Sequence, residues 1–90
     1  MNNLIITNLA KSDIREIRIY HNKHSKDYSK LLINKIKSSS HNLKQFPNIG
    51  SDCDFYRELP CGNYNILYVV EENNIYIIRV IHSSMNFNFY

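Results

Sequence analysis

Hydrophobic periodicity changes once along this 90-residue chain, at Gly50. Before that glycine, apolar residues recur every three or four positions, which is the helical period; after it they alternate or run in short β-branched and aromatic blocks. Ala10, Ile14, Ile17 and Tyr20 step by four, three and three, which predicts a helix over residues 8–22 with Thr7 as its N-cap. Ser25 caps a second helix running to about Gln45, with Tyr28, Leu32, Ile36 and Leu43 as its apolar stripe and Ser39 in the open slot. Pro47 and Gly50 end it. The connection Asn22-Lys23-His24 is so short that the two helices must lie antiparallel. Ahead of them, residues 3–7 read as a short first strand.

Beyond Gly50, segments 55–59, 64–70 and 75–81 read as strands. Pro60-Cys61-Gly62-Asn63 and Glu71-Glu72-Asn73-Asn74 are the turns between them, so the three form an antiparallel meander. Neither half can bury its apolar face alone. The expected fold is therefore a two-layer α+β domain over residues 1–90. An antiparallel helical hairpin packs on one face of a small, mainly antiparallel sheet, in the order β-α-α-β-β-β.

The net charge of +3 conceals an asymmetry: residues 1–44 carry nine Lys/Arg and three Asp/Glu, and residues 45–90 carry two and five. A basic first half points to an acidic partner or to nucleic acid. Lys23, Lys26, Lys30, Lys37 and Lys44 fall on one stripe of the second helix, roughly opposite Tyr28 and Leu32. That stripe is either a solvated outer face or a docking surface for an acidic peptide or phosphates. No aromatic residue interleaves with these lysines, which argues against base stacking there.

The longest apolar runs, 66–70 and 75–78, fall far short of the roughly 20 residues a bilayer span needs. Leu4-Ile5-Ile6 is too short for the apolar core of a secretory signal, so a cytoplasmic protein with no membrane partner is expected. Cys53 and Cys61 form no metal-binding spacing and read as two reduced thiols, with a Cys53–Cys61 bridge as the alternative. His21 and His24, three apart, have no third ligand nearby, so neither a metal nor a cofactor is expected.

Arg79 lies inside the last predicted strand between Ile78 and Val80, and a charge there needs a partner. Glu58 is the candidate. Arg57 and His82 lie at strand ends, and the three groups together could hold a phosphate, with His82 as a general acid or base. Met85, Phe87 and Phe89 alternate as a strand would; this aromatic tail either packs along the sheet edge or lies against a partner.

Four segments carry a resemblance: Phe46-Pro47-Asn48-Ile49-Gly50, Tyr56-Arg57-Glu58-Leu59-Pro60, residues 62–70 from Gly62-Asn63-Tyr64 onward, and Ile77-Ile78-Arg79-Val80-Ile81-His82. Together with Ala10, Asp13, Ile14, Ile17 and Tyr20 in the first helix, they resemble the RelE/ParE family of toxins from bacterial type II toxin–antitoxin systems. The resemblance implies a cognate antitoxin as partner and one of two activities. RelE-like members are ribosome-dependent mRNA endonucleases that use basic side chains on the sheet; ParE-like members poison DNA gyrase. Glu58, Asn65 and Ser83 stand where the nuclease branch places basic residues, which favours the ParE-like branch with gyrase as target. The nuclease alternative, with the ribosome and mRNA as targets, would have to use Arg57, Arg79 and His82. Ser83 and Ser84 follow His82 where ParE-like relatives often carry an Arg, and a non-toxic interaction module is the third alternative. For a binding role, the candidate contact residues are the five stripe lysines with Met85, Phe87 and Phe89.

Overall fold

The structure, a computed structural model, describes residues 2–85. Its elements run β1 (Asn3–Ile6), α1 (Asn8–Asn22), α2 (Lys26–Asn42), β2 (Ser51–Cys53), β3 (Tyr56–Cys61), β4 (Tyr64–Glu71) and β5 (Asn74–His82). The sheet order is β1-β5-β4-β3-β2; β1 runs parallel to β5 and every other pair is antiparallel. The two helices cover one face, as the change of period requires.

Both helix starts are capped as expected. The Thr7 hydroxyl accepts the Ala10 N–H at 3.3 Å, and the Ser25 hydroxyl accepts the Tyr28 N–H at 3.2 Å. Thr7 also donates to the Ile77 carbonyl at 2.8 Å, which ties the start of α1 to the interior strand β5. Ala10, Ile14 and Ile17 of α1 meet Ile33, Ile36 and Leu43, with Ile66, Tyr68, Ile75 and Ile77 beneath them in one apolar cluster.

The buried side of α2 keeps Leu32, Ile36 and Leu43 of the predicted stripe but turns away from Tyr28 toward Ser29, Ile33 and Ser40. Ser29, Leu32, Ile33, Ile36 and Ser40 line it, while Tyr28 stays half exposed. Small serines let the helices approach closely: the Ser29 hydroxyl donates to the Arg18 carbonyl of α1, and the Ser40 hydroxyl to Ile36 of its own helix. Ser39 is half-buried, with its hydroxyl 3.7 Å from the Cys61 sulfur. Tyr20 likewise remains exposed at the end of the α1 stripe.

Three features of the sheet depart from the periodicity. β2 is an extra edge strand, three polar or small residues long, joined to β3 through Asp54 at φ 71°. Such a strand is too short to show alternation. Pro60 belongs to β3, not to the following turn; it pairs with Asn65 beyond the end of β2, where a missing N–H on the open edge costs nothing. In β5, Arg79 faces Leu67 and Ile77 faces Tyr68, so Ile78 is an extra residue. This bulge changes the side-chain parity of β5, so that Ile75 and Ile77 before it and Val80 after it all reach the same apolar cluster.

Tyr68 anchors the loop between the helices and the sheet. Its hydroxyl donates to the Pro47 carbonyl at 2.8 Å and accepts the Gly50 N–H at 2.9 Å. A Cβ on Gly50 would stand 2.7 Å from that hydroxyl and 2.9 Å from the Glu58 carbonyl, so Gly50 is required by close approach. Cys53 faces Tyr56 whereas Cys61 lies five residues further along β3, roughly 16 Å away. The two thiols are free, and that span is far beyond the ~7 Å limit for a bridge. No helix among the described residues is long and apolar enough to cross a membrane.

Candidate functional site

The partner of Arg79 is Asp13 of α1, not Glu58. Arg79 Nε donates to Asp13 Oδ2 at 2.7 Å and Nη2 to Oδ1 at 3.0 Å, a two-pronged guanidinium–carboxylate pair. Asp13 Oδ2 also accepts the Val80 backbone N–H at 3.0 Å. That N–H lies on the side of β5 away from β4, past the end of β1, so the carboxylate satisfies an open sheet edge. The bond to Asp13 is the leading reason that the Arg79 guanidinium holds its proton more tightly than usual. Glu58 instead faces Leu67 and Ser51 in the sheet register. Asp13 was legible: it stands with Ala10, Ile14 and Ile17 on one helical face, and a carboxylate there needs a cation.

Arg57 is far from His82 and engages a different partner from Arg79. It faces Tyr68, which faces Ile77, five residues short of His82 along β5, roughly 16 Å away. Its guanidinium donates to the Gly50 carbonyl at 2.8 Å and the Asn48 carbonyl at 3.4 Å, closing the same loop that Tyr68 holds.

His82 sits at the far end of β5, opposite Tyr64. Its Nδ1 accepts the Ser84 N–H at 3.1 Å and lies 2.7 Å from the Ser84 hydroxyl. With Nδ1 an acceptor, the neutral ring carries its proton on Nε2. Tyr64 stands between His82 and His21: its hydroxyl is 2.9 Å from His21 Nε2, and the His82 ring meets its ring at 5.3 Å. Burial, followed by the neighbouring Tyr28 and Tyr20, pushes the Tyr64 hydroxyl up. Tyr20, His21, Tyr28, Asn63, Tyr64 and His82 line a hollow of about 330 Å³. Sequence spacing paired His21 with His24; the fold pairs His21 with Tyr64, and no group of three metal-ligating side chains forms among the described residues.

The basic stripe is shorter than predicted. Lys26, Lys30 and Lys37 lie together on α2 and, with Arg18 of α1, border a hollow of about 250 Å³. Lys23 is the C-cap of α1, and Lys44 lies past the end of α2, half-buried, with its carbonyl accepting from Asn2. Another side of α2 carries a mainly apolar groove of about 440 Å³, lined by Tyr28, Leu31, Leu32, Lys35, Ser38 and Gly62. Leu31 is 70% exposed there. Met85 is exposed and sits in a turn, its N–H donating to the His82 carbonyl, rather than in a strand. Phe87 and Phe89 lie outside the described residues.

The family model for the ParE toxin of the type II toxin–antitoxin system, parDE, matches residues 4–87. The chain belongs to the ParE toxin family. A solved structure described as "Chromosomal ParDE TA system from P. aeruginosa" is similar to this ParE toxin, with a TM-score of 0.81 and 20% identity, covering 91% of this chain and 96% of that one. At that identity the likeness is one of fold, and it extends over both helices and the mixed sheet. Among curated proteins no relative matches. In this ParE toxin the basic groups of the sheet therefore divide: Arg79 and Arg57 are held by Asp13 and by loop carbonyls, and His82 stands apart at the strand end.

Proposed function

We propose that this ParE-family toxin halts growth by binding and poisoning DNA gyrase in the cytoplasm, and that a cognate antitoxin neutralises it. The observation that carries the choice of a binding poison over a nuclease is the engagement of Arg79 by Asp13. Cutting RNA through its own 2′-hydroxyl needs a base, a cation at the phosphate and an acid for the leaving oxygen. Arg79 is paired with a carboxylate that would repel a phosphate, Arg57 is on the loop carbonyls of Gly50 and Asn48, and His82 is left with Ser84. A gyrase-binding surface needs shape and exposed contacts and none of this chemistry.

The apolar groove beside α2 supports an antitoxin site. Leu31 and Tyr28 expose apolar area next to Gly62, the kind of anchor pocket that dominates protein interfaces. The similar solved structure is described as a ParDE toxin–antitoxin system, and the same partnership is proposed here.

The test is induced expression with separate readouts of DNA replication and message integrity, beside a supercoiling assay with purified gyrase. Growth arrest with inhibited supercoiling and intact messages is expected. Discrete ribosome-dependent cuts by primer extension that vanish in His82→Ala would overturn the reading in favour of the nuclease. Normal growth with gyrase unaffected would leave an interaction module without toxicity.

A further inference from the structure

The hollow between α1 and α2 gathers four cations: Arg18, Lys26, Lys30 and Lys37. All four residues are exposed, and none of them pairs with a carboxylate of the described residues. Asp27 is the acid nearest in sequence, beside Lys26, but it does not line the hollow. At about 100° per residue, the three lysines lie within roughly 40° of one another around α2. Like charges four apart on a helix repel and weaken it. The chain thus holds a concave cluster of one sign whose repulsion nothing inside it relieves, and concavity focuses the field.

We infer that this hollow binds the backbone phosphates of a nucleic acid. Its lining decides the class of ligand. Asn22 and Asn34 add amide donors, and the floor is Ser29 and Ile33, only 1% and 3% exposed. The Ser29 hydroxyl is already engaged with the Arg18 carbonyl. A bound peptide needs apolar anchors to bury. Ile33 has no area left to offer, and the exposed anchor Leu31 lies on a different side of α2, in the other groove. Phosphates need only cations and donors. No aromatic residue lines the hollow, so bases are not stacked and recognition is independent of sequence. From Lys26 to Lys37 the helix rises about 16 Å, close to the rise of roughly five nucleotides along one duplex strand. The site does not rest on the gyrase reading: a chain that leaves gyrase unaffected would still show it, and loss of it would leave the gyrase assay to be judged separately.

The experiment is a salt titration of binding between the full chain and a short mixed-sequence DNA duplex. Neutralising four phosphates gives a slope of log affinity against log salt of about −3.6. Lys30→Gln/Lys37→Gln should reduce that slope by about 2 and weaken binding roughly 50- to 100-fold near 0.1 M salt. Lys11→Gln/Arg15→Gln, of equal charge change but at exposed positions outside the hollow, should keep both values. The thermal midpoint of Lys30→Gln/Lys37→Gln should equal or exceed that of the parent, since repulsion is removed. Equal losses in the two double variants would overturn the proposal, because binding would then follow net charge alone. So would a polyglutamate peptide that competes for the hollow as well as the duplex does, which would make it an acidic-peptide site.

Discussion

Asp13 does three things with one carboxylate: it pairs with Arg79, accepts the Val80 N–H, and joins α1 to the open edge of β5. Its side chain is 10% exposed and that of Arg79 is 28%, so the pair lies between the buried and the surface limits. Removing one partner should therefore cost about 2–3 kcal/mol, less than the 3–5 of a fully buried pair and more than a surface pair. In denaturant unfolding, Asp13→Ala and Arg79→Ala should be strongly non-additive, while Glu58→Ala should add simply to Arg79→Ala. Coupling to Glu58 and none to Asp13 would refute the assignment. Tyr64 and Tyr68 make a second prediction at this scale. Burial is the main cause that raises both hydroxyls above the usual tyrosine range. Above about pH 10 the unfolded chain therefore binds fewer protons than the folded one, so stability is complete below that pH and falls as pH rises further. The urea midpoint should be lower at pH 11 than at pH 8, and Tyr68→Phe should shrink the difference.

Among the elements, the loop from α2 into β2 is held by side chains from two strands. Tyr68 of β4 bonds Pro47 and Gly50, and Arg57 of β3 bonds Asn48 and Gly50. Gly50→Ala should destabilise the fold by about 1–3 kcal/mol, because the new methyl group overlaps both the Tyr68 hydroxyl and the Glu58 carbonyl. Thermal melts would measure it, and an unchanged midpoint would mean that the loop has room to move. The strands themselves were mostly readable from alternation. β2 was not, since three residues carry no period, and neither was the bulge at Ile78, since an extra residue among Ile77, Ile78 and Val80 leaves the composition of the run unchanged.

For the molecule as a whole, the α2 groove and the basic hollow face different sides of one helix, so two partners can be separated by single substitutions. Leu31→Glu should weaken capture of the cognate antitoxin at least ten-fold while leaving the thermal midpoint of the free chain within a degree or two, because Leu31 is 70% exposed and leaves no cavity. Isothermal titration would read the affinity; unchanged binding would place the antitoxin elsewhere.

The two-layer plan, the element order and the caps at Thr7 and Ser25 were determined by the sequence itself, because period and capping act between residues close along the chain. So was the membership in the toxin family, through ordered segments spread over both halves. The partners of Arg79, Arg57 and His21 were decided only by tertiary structure. Asp13 and Arg79 are 66 residues apart, and which carboxylate meets which cation depends on the register of β5 against α1. The same holds for the four cations of the basic hollow. Arg18 joins Lys26, Lys30 and Lys37 through the packing of α1 against α2, where the Ser29 hydroxyl donates to the Arg18 carbonyl at the floor of the shared hollow.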